Sequence, residues 1–259
     1  MDLDSKHLSI RLARSEEDRR AAERLRYRVF VEELGGDGPL VDHEGRFERD
    51  VFDPFYDHLV LVDNRVECTT LEHVVGVYRL LSGEKAKEYG SFYSEGEYDL
   101  SVLKASGRRL LELGRSCIAA EYRGGLGLHM LWNGLTDYVQ EHEAEILFGV
   151  ASLHGTDVEA LAPSLSHLYH AFLAPEHLRV RAVESAYQPM NLVPPEKIDR
   201  VAAMRAVPPL IKSYLRLGGF VGDGAFVDHA FNTTDVCLVM DTTRMNSRAL
   251  ERLKAGAPR

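Results

Sequence analysis

The sequence predicts a mixed α/β (α+β) fold, a central sheet flanked by helices, on three observations. Strand-like and helix-like apolar periods alternate along most of the chain, as a layered sheet with helices on its faces requires. The 259 residues are 45% hydrophobic and 27% charged, an ordinary globular composition for one large domain or two small ones. No internal repeat, low-complexity tract or linker divides them.

The elements follow in order. Residues His7–Ala13 alternate as a strand does, and Ser15 with Asp18 three residues later resembles a capping box opening a helix. Ala21, Ala22, Leu25, Val29, Phe30 and Leu34 continue that helix at its spacing until Gly35 and Gly36 stop it. Its other face reads as Arg19, Arg20, Arg24, Arg26 and Arg28, either a solvated surface or a landing patch for an anionic partner. Residues Asp37–Asp57 are acidic, with frequent Gly and Pro, and predict a long loop that is functional or disordered. Strands follow at His58–Asp63 and Val74–Leu81, then an irregular stretch Ser82–Tyr98 and a strand Leu110–Ile118. A helix Leu126–Glu141, a strand Ile146–Ser152, a helix Asp157–Leu173, a strand Arg179–Ser185 and a closing strand Val236–Asp241 complete the pattern.

Composition excludes several functions. A formal charge of -9 offers no attraction to a phosphate backbone, so nucleic acid is not an expected partner. Three cysteines without CxxC spacing fit a reducing cytoplasm. The first residues lack an apolar signal core, and no apolar run approaches the roughly 20 residues of a membrane span. HExxH, GxSxG and Walker motifs are absent, and GRSCI lacks the second glycine of a nucleophile elbow. His167 and His170 share a helix face without acidic neighbours and read as structural, so no metal is implied.

Two segments carry more information. Tyr122-Arg-Gly-Gly-Leu-Gly127 lies where a strand meets a helix, a place where backbone N–H groups and the helix dipole hold phosphate. The segment PPLIKSYLRLGGF mixes Leu210, Ile211, Tyr214, Leu215 and Leu217 with Lys212 and Arg216. It reads either as an amphipathic helix meeting a bilayer surface or as core packing with basic edges.

The order of separated fragments is the more specific signal. LRYRVFVEE (25–33), Phe52-Asp53, Tyr56-Asp57-His58, GVYRLL (76–81) and ELGRSC (112–117) together resemble the GNAT-like acyl-homoserine-lactone synthases. With Phe92-Tyr-Ser-Glu95, Tyr122-Arg123, Leu131-Trp132, Ala151-Ser152, Gly155-Thr-Asp157 and PPLIKSYLRLGGFVGDGAF, the chain looks still more like the L-ornithine N-alpha-acyltransferases. The resemblance implies one GNAT-like domain over 1–259, with a core at about 8–190 and a family-specific C-terminal part at about 191–259. It implies transfer of a 3-hydroxy fatty acyl group from acyl carrier protein to the α-amine of L-ornithine, the first step of ornithine lipid biosynthesis. Alternatives are an N-acyltransferase for glycine, glutamine or lysine, a lactone synthase, or a non-catalytic acyl-carrier or lipid-binding module.

For the site, the resemblance implies a thioester held between the strands Leu110–Ile118 and Ile146–Ser152. Ile118, Arg123, Gly125, Gly127 and Ser152 would receive the phosphopantetheine arm, and no cofactor would be permanently bound. Tyr122 stands where such turns carry Gln or Arg, and this smaller cradle fits a carrier-protein donor better than coenzyme A. Acyl carriers are acidic, so Arg19, Arg20, Arg24, Arg108, Arg109 and Arg123 are the expected dock. Glu112 is the expected base for the acceptor ammonium, with Arg115 beside it in the motif. Arg28, Phe30, Arg79 and Ser116 would contact the acceptor, with a guanidinium forking its carboxylate, and Asp53 and Asp57 would suit its second positive charge. The chain is expected in the cytoplasm, with peripheral contact to the inner face of the membrane.

Overall fold

The computed structural model describes residues 5–123 and 125–245. In chain order the elements are β1 Leu8–Leu12, α1 Glu16–Arg26, β2 Asp57–Asp63, β3 Val74–Ser82, α2 Gly83–Tyr89, β4 Tyr98–Asp99, α3 Ser101–Ala105, β5 Leu110–Ile118 and α4 Gly125–Glu141. They continue with β6 Ile146–His154, α5 Val158–Phe172, β7 Arg181–Ala182, α6 Arg200–Ala206, α7 Pro209–Arg216, β8 Phe220–Val221, β9 Phe226–Asp228 and β10 Thr233–Asp241. Two compact units result, one of residues 5–89 and 113–143 and the other of 90–112 and 144–245. The chain passes between them inside β5.

In the first unit β2 lies antiparallel to both β1 and β3, with Ile10 of β1 opposite Leu61 of β2 and a bulge against β3 at Leu61/Val62. Ala21, Ala22 and Leu25 of α1 pack with Val60, Leu61, Val77 and Leu131 in one core. Ser15 caps α1 by accepting from the Asp18 amide at 3.2 Å. Asp18 does not complete a capping box; its carboxylate accepts from Arg14 N and pairs with Arg11 and His73. Beyond Arg26 the expected single helix widens into a π-helical run, Tyr27–Glu33, and Gly36 N closes it onto Phe30 O. On α4 a Cβ at Gly134 would meet Ile10 Cγ1 at 2.5 Å, so the bare backbone lets the helix lie against β1 and β2.

The second unit is built on β6 and β10, antiparallel along nine residues from Ile146↔Asp241 to His154↔Thr233. β8 and β9 also pair with β10, and the start of β5 runs parallel to β6 through Leu110↔Ile146, Leu111↔Leu147 and Glu112↔Phe148. Asp157 caps α5 by accepting from the amides of Glu159 and Ala160. The expected strand Arg179–Ser185 shrinks to the two residues of β7, paired with β4 and flanked by 3-10 turns at 176–178 and 184–186.

One further expectation is corrected and one alternative decided. The stretch Ser82–Tyr98 is not irregular throughout, since Glu84, Lys85, Ala86 and Lys87 are good helix formers and lie in α2, with Ser82 Oγ accepting from Lys85 N. The PPLIKSYLRLGGF segment forms α7 with Ile211, Tyr214 and Leu215 buried, so its apolar stripe is core packing. The predicted C-terminal part also includes 246–259, and the glycine turn includes Gly124, which lie outside the described residues.

Candidate active site

A buried ion network forms the polar centre of the first unit. α1 presents Arg26, the segment before β2 supplies Glu48, Asp50 and Asp53, β3 supplies Arg79, and β5 supplies Arg115. Arg26 forks onto Asp53, with Nη1 to Oδ1 at 2.5 Å and Nη2 to Oδ2 at 3.0 Å, while its Nε donates to Glu48. Arg79 Nη1 donates to Asp50 Oδ1 and Asp53 Oδ1, both at 2.8 Å, and its guanidinium lies over the Tyr56 ring. Arg115 Nε reaches Glu48 Oε1 at 3.2 Å, and its Nη2 lies 3.5 Å from Asp50 Oδ2.

Three guanidinium groups thus balance three carboxylates, with Arg26, Arg79, Glu48 and Asp53 buried and Arg115 and Asp50 half-buried. Arg26 is 0% and Arg79 1% exposed, so neither charge would be tolerated without its partners. Burial alone would raise Asp53, and the charges of Arg26 and Arg79 overcome that and hold it well below the usual carboxylate range. His58, whose Nε2 donates to Asp53 O, is pushed down to about 4 by burial and by Arg26 and is neutral at pH 7. Asp50 Oδ2 is buried and accepts no hydrogen bond among the described residues.

Arg115 has φ 49, left-handed backbone in the middle of a strand that a non-glycine residue rarely adopts. Such strain persists only where surrounding contacts fix it, and here the contacts are Glu48 and Asp50.

Glu112 belongs to the second unit and is 2% exposed. Its carboxylate accepts from the amides of Tyr93 at 2.9 Å and Ser94 at 2.7 Å, which fixes its direction and anchors the turn at 93–96. Beside that turn Phe92 meets Phe148 edge to face.

The structure separates several residues expected together. Arg79 and Asp53 belong to the network, so Asp53 is not an exposed loop carboxylate. Asp57 instead pairs with Lys85 at 2.6 Å and accepts from Tyr138 at 2.7 Å. Arg28 lies outside the network, 3.5 Å from Glu72 and 3.6 Å from Glu121. Phe30 and Ile118 pack against the first unit's core, Ser116 is half-buried in β5, and Ser152 is exposed on β6 opposite Asp235. Arg123 pairs with Glu33 and donates to Ile118 O. Gly125 opens α4, and Gly127 lets the chain pass Tyr122 O, which an added Cβ would meet at 2.7 Å. Tyr122 faces the core and donates to Asp63.

Among the expected dock residues, Arg19 pairs with Glu16 and Arg108 with Asp241. Arg20 and Arg24 stack over Phe47. Arg109 N donates to Glu145.

Four residues escape the sequence reading. Arg26 looks like part of the polar face of its helix, yet it lies four residues after Ala22 and three before Val29, which is the buried stripe. Glu48 and Asp50 are hidden by their acidic surroundings in sequence. Glu23, one turn before Arg26, is half-buried, and burial followed by the charge of Asp53 pushes its carboxyl up to about 7.

Residues 25–133 match the family model described as Acetyltransferase (GNAT) domain. The chain is 61% identical over 242 residues to an L-ornithine N(alpha)-acyltransferase of Rhodobacter capsulatus, covering 93% of each chain. It is 41% identical over 254 residues to one of Brucella abortus, covering 97% of this chain and 90% of that one. Its fold is similar to that of FeeM, an N-acyl amino acid synthase from uncultured soil microbes, with a TM-score of 0.51 at 12% identity over 97% and 98% of the two chains. Sequence and fold agree, and the chain belongs to the L-ornithine N(alpha)-acyltransferases, enzymes built on the GNAT-like fold.

Proposed function

We propose that this chain, acting as one GNAT-like domain, moves a 3-hydroxy fatty acyl group from acyl carrier protein to the α-amine of L-ornithine, giving lyso-ornithine lipid. The observation that carries the reaction class is the 61% identity, spread over 93% of both chains, to an L-ornithine N(alpha)-acyltransferase. An acyl donor and an amino-acid acceptor follow from the family. The carrier protein and the residue roles are the finer part of this reading.

In the proposed step the ornithine nitrogen attacks the thioester carbonyl, a C–N bond forms, the C–S bond breaks, and the phosphopantetheine thiol leaves. An α-amine is largely protonated near neutral pH, so a carboxylate must take its proton before or during attack. Glu112 is assigned that role, its two backbone hydrogen bonds holding the carboxylate in one orientation. Arg28, partly exposed and outside the buried network, suits the acceptor's carboxylate, since a guanidinium forks that group. Asp50 Oδ2, still without a hydrogen bond, suits one of its ammonium groups. Tyr122 turned into the core supports a donor that needs no large pyrophosphate cradle. The reading sets the reaction in the cytoplasm; among the described residues no helix is long and apolar enough to cross a membrane.

The donor assignment is tested by offering ornithine with the same 3-hydroxyacyl group on carrier protein and on coenzyme A. Amide should form from the carrier thioester with a kcat/KM at least tenfold higher. Equal turnover of the two thioesters would remove the carrier protein from the reading.

A further inference from the structure

In the second unit, α5 and the segment leading into α6 enclose a cleft of about 340 Å³. His167, His170, Ala171, Pro195, Ile198 and Arg200 line it, and none of them takes part in the candidate active site. No carboxylate is among them. His170 Nε2 donates to Val193 O, and His167 meets Phe172 edge to face but makes no hydrogen bond among the described residues. Arg200 likewise has no ion pair or hydrogen bond there, although the protein carries nine more acidic than basic charges and most of its other arginines are paired. Burial, and after it the charges of Arg200 and His170, push the His167 imidazole below its ordinary range.

The Arg200 guanidinium and the His167 imidazole supply N–H donors suited to a tetrahedral oxyanion, and His170, whose Nε2–H is taken by Val193 O, completes the wall beside them. The flanks point to its carrier. Val201, next to Arg200, is 70% exposed, and Leu192, whose amide is fixed by Ser166 Oγ, is 40% exposed. Apolar side chains left in water beside a cationic cleft fit the boundary between headgroups and acyl chains. Lys197 and Arg205 add positive charge, against Glu196 and Asp199, and the Asp199 carboxylate is engaged in capping α6.

We propose that the cleft formed by His167, His170 and Arg200 binds the phosphate of an anionic phospholipid headgroup, with Leu192 and Val201 entering the surface of the bilayer. The site does not depend on the acyltransferase reading. It would hold the protein where its lipid product must be delivered.

Two measurements on the full chain test this. Co-sedimentation with phosphatidylcholine vesicles containing one-fifth phosphatidylglycerol should retain the wild-type protein, and Arg200→Gln should lower the bound fraction at least threefold. Vesicles of phosphatidylcholine alone should bind the wild type several-fold less well. In parallel, inorganic phosphate should shift the imidazole resonances of His167 and His170 in the wild type but not in Arg200→Gln. Arg200 is exposed and unpaired among the described residues, so the variant should keep wild-type acylation of ornithine in solution, which guards against a folding defect. Equal vesicle binding by the two proteins would overturn the proposal. Phosphate-dependent shifts without vesicle binding would overturn the lipid headgroup and leave free phosphate as the ligand.

Discussion

Arg26 and Arg28 are two residues apart and chemically identical, yet their surroundings give them opposite weights. Replacing Arg26 with leucine takes from Glu48 and Asp53 the guanidinium that sits on both and leaves them only Arg115 and Arg79, and breaking a buried pair from one side costs about 3–5 kcal/mol. Arg28→Leu removes only partly exposed pairs and should cost less than about 1 kcal/mol. Urea unfolding of both variants checks this, and similar midpoints would contradict the burial argument. Glu23 gives a pH signature. Its folded-state pKa of about 7 lies above its unfolded value, so its carboxyl favours the folded state most below about pH 4.5, and that contribution is lost as pH rises through 7. Glu23→Gln should therefore flatten the fall in stability between pH 5 and 8, and an unchanged slope would assign the fall to other groups. Glu112→Gln presents an amide N–H₂ where Tyr93 and Ser94 both donate, so one backbone bond is lost along with the base. Amide formation should slow at least a hundredfold with circular dichroism unchanged, and wild-type turnover would make Glu112 an anchor of the turn alone. Motif order in the sequence picks out Glu112, Arg115, Arg79 and Asp53. It misses Arg26 because a lone arginine on an apolar stripe looks like a surface residue until its two carboxylates, 22 and 27 positions away, are in place.

At the level of elements, long segments with one clear period are legible in the sequence and short ones are not. β5 has the bounds its apolar run predicts, and α4, α5 and β6 differ only at their ends. These elements each bury one continuous face, so period and burial agree. β7 and α3 are two and five residues long, too short for a period to declare itself, and are set by neighbouring strands and turns. The π-helical run after α1 has no sequence signature at all, since a one-residue change in hydrogen-bond step leaves composition untouched. For α7 both periodic readings are open, and burial decides between them. Ile211→Ala should cost about 2–5 kcal/mol as a core truncation, whereas a residue lying on a bilayer would cost nothing in solution. The exposed side of α1 makes a separate prediction. Charge reversal at Arg19, Arg20 and Arg24 should raise the KM for acyl carrier protein and weaken its dependence on salt, with KM for ornithine unchanged. An unaltered salt response would leave that surface merely solvated.

For the molecule as a whole, the charge of -9 is a poor guide to the local chemistry, because the acidic segment before β2 does not simply face water. Glu48, Asp50 and Asp53 turn inward onto arginines, and the cationic cleft on α5 has no acid in its lining. What remains is an acyltransferase whose family specifies the ornithine α-amine. The most direct measurement gives the purified protein 3-hydroxyacyl carrier protein with ornithine, lysine, glutamine, glycine or S-adenosylmethionine, and detects products by mass. The account predicts N-acylornithine with the acyl group on the α-nitrogen, at least tenfold above any other acceptor. Equal acylation of glycine or glutamine, or a lactone formed from S-adenosylmethionine, would contradict it.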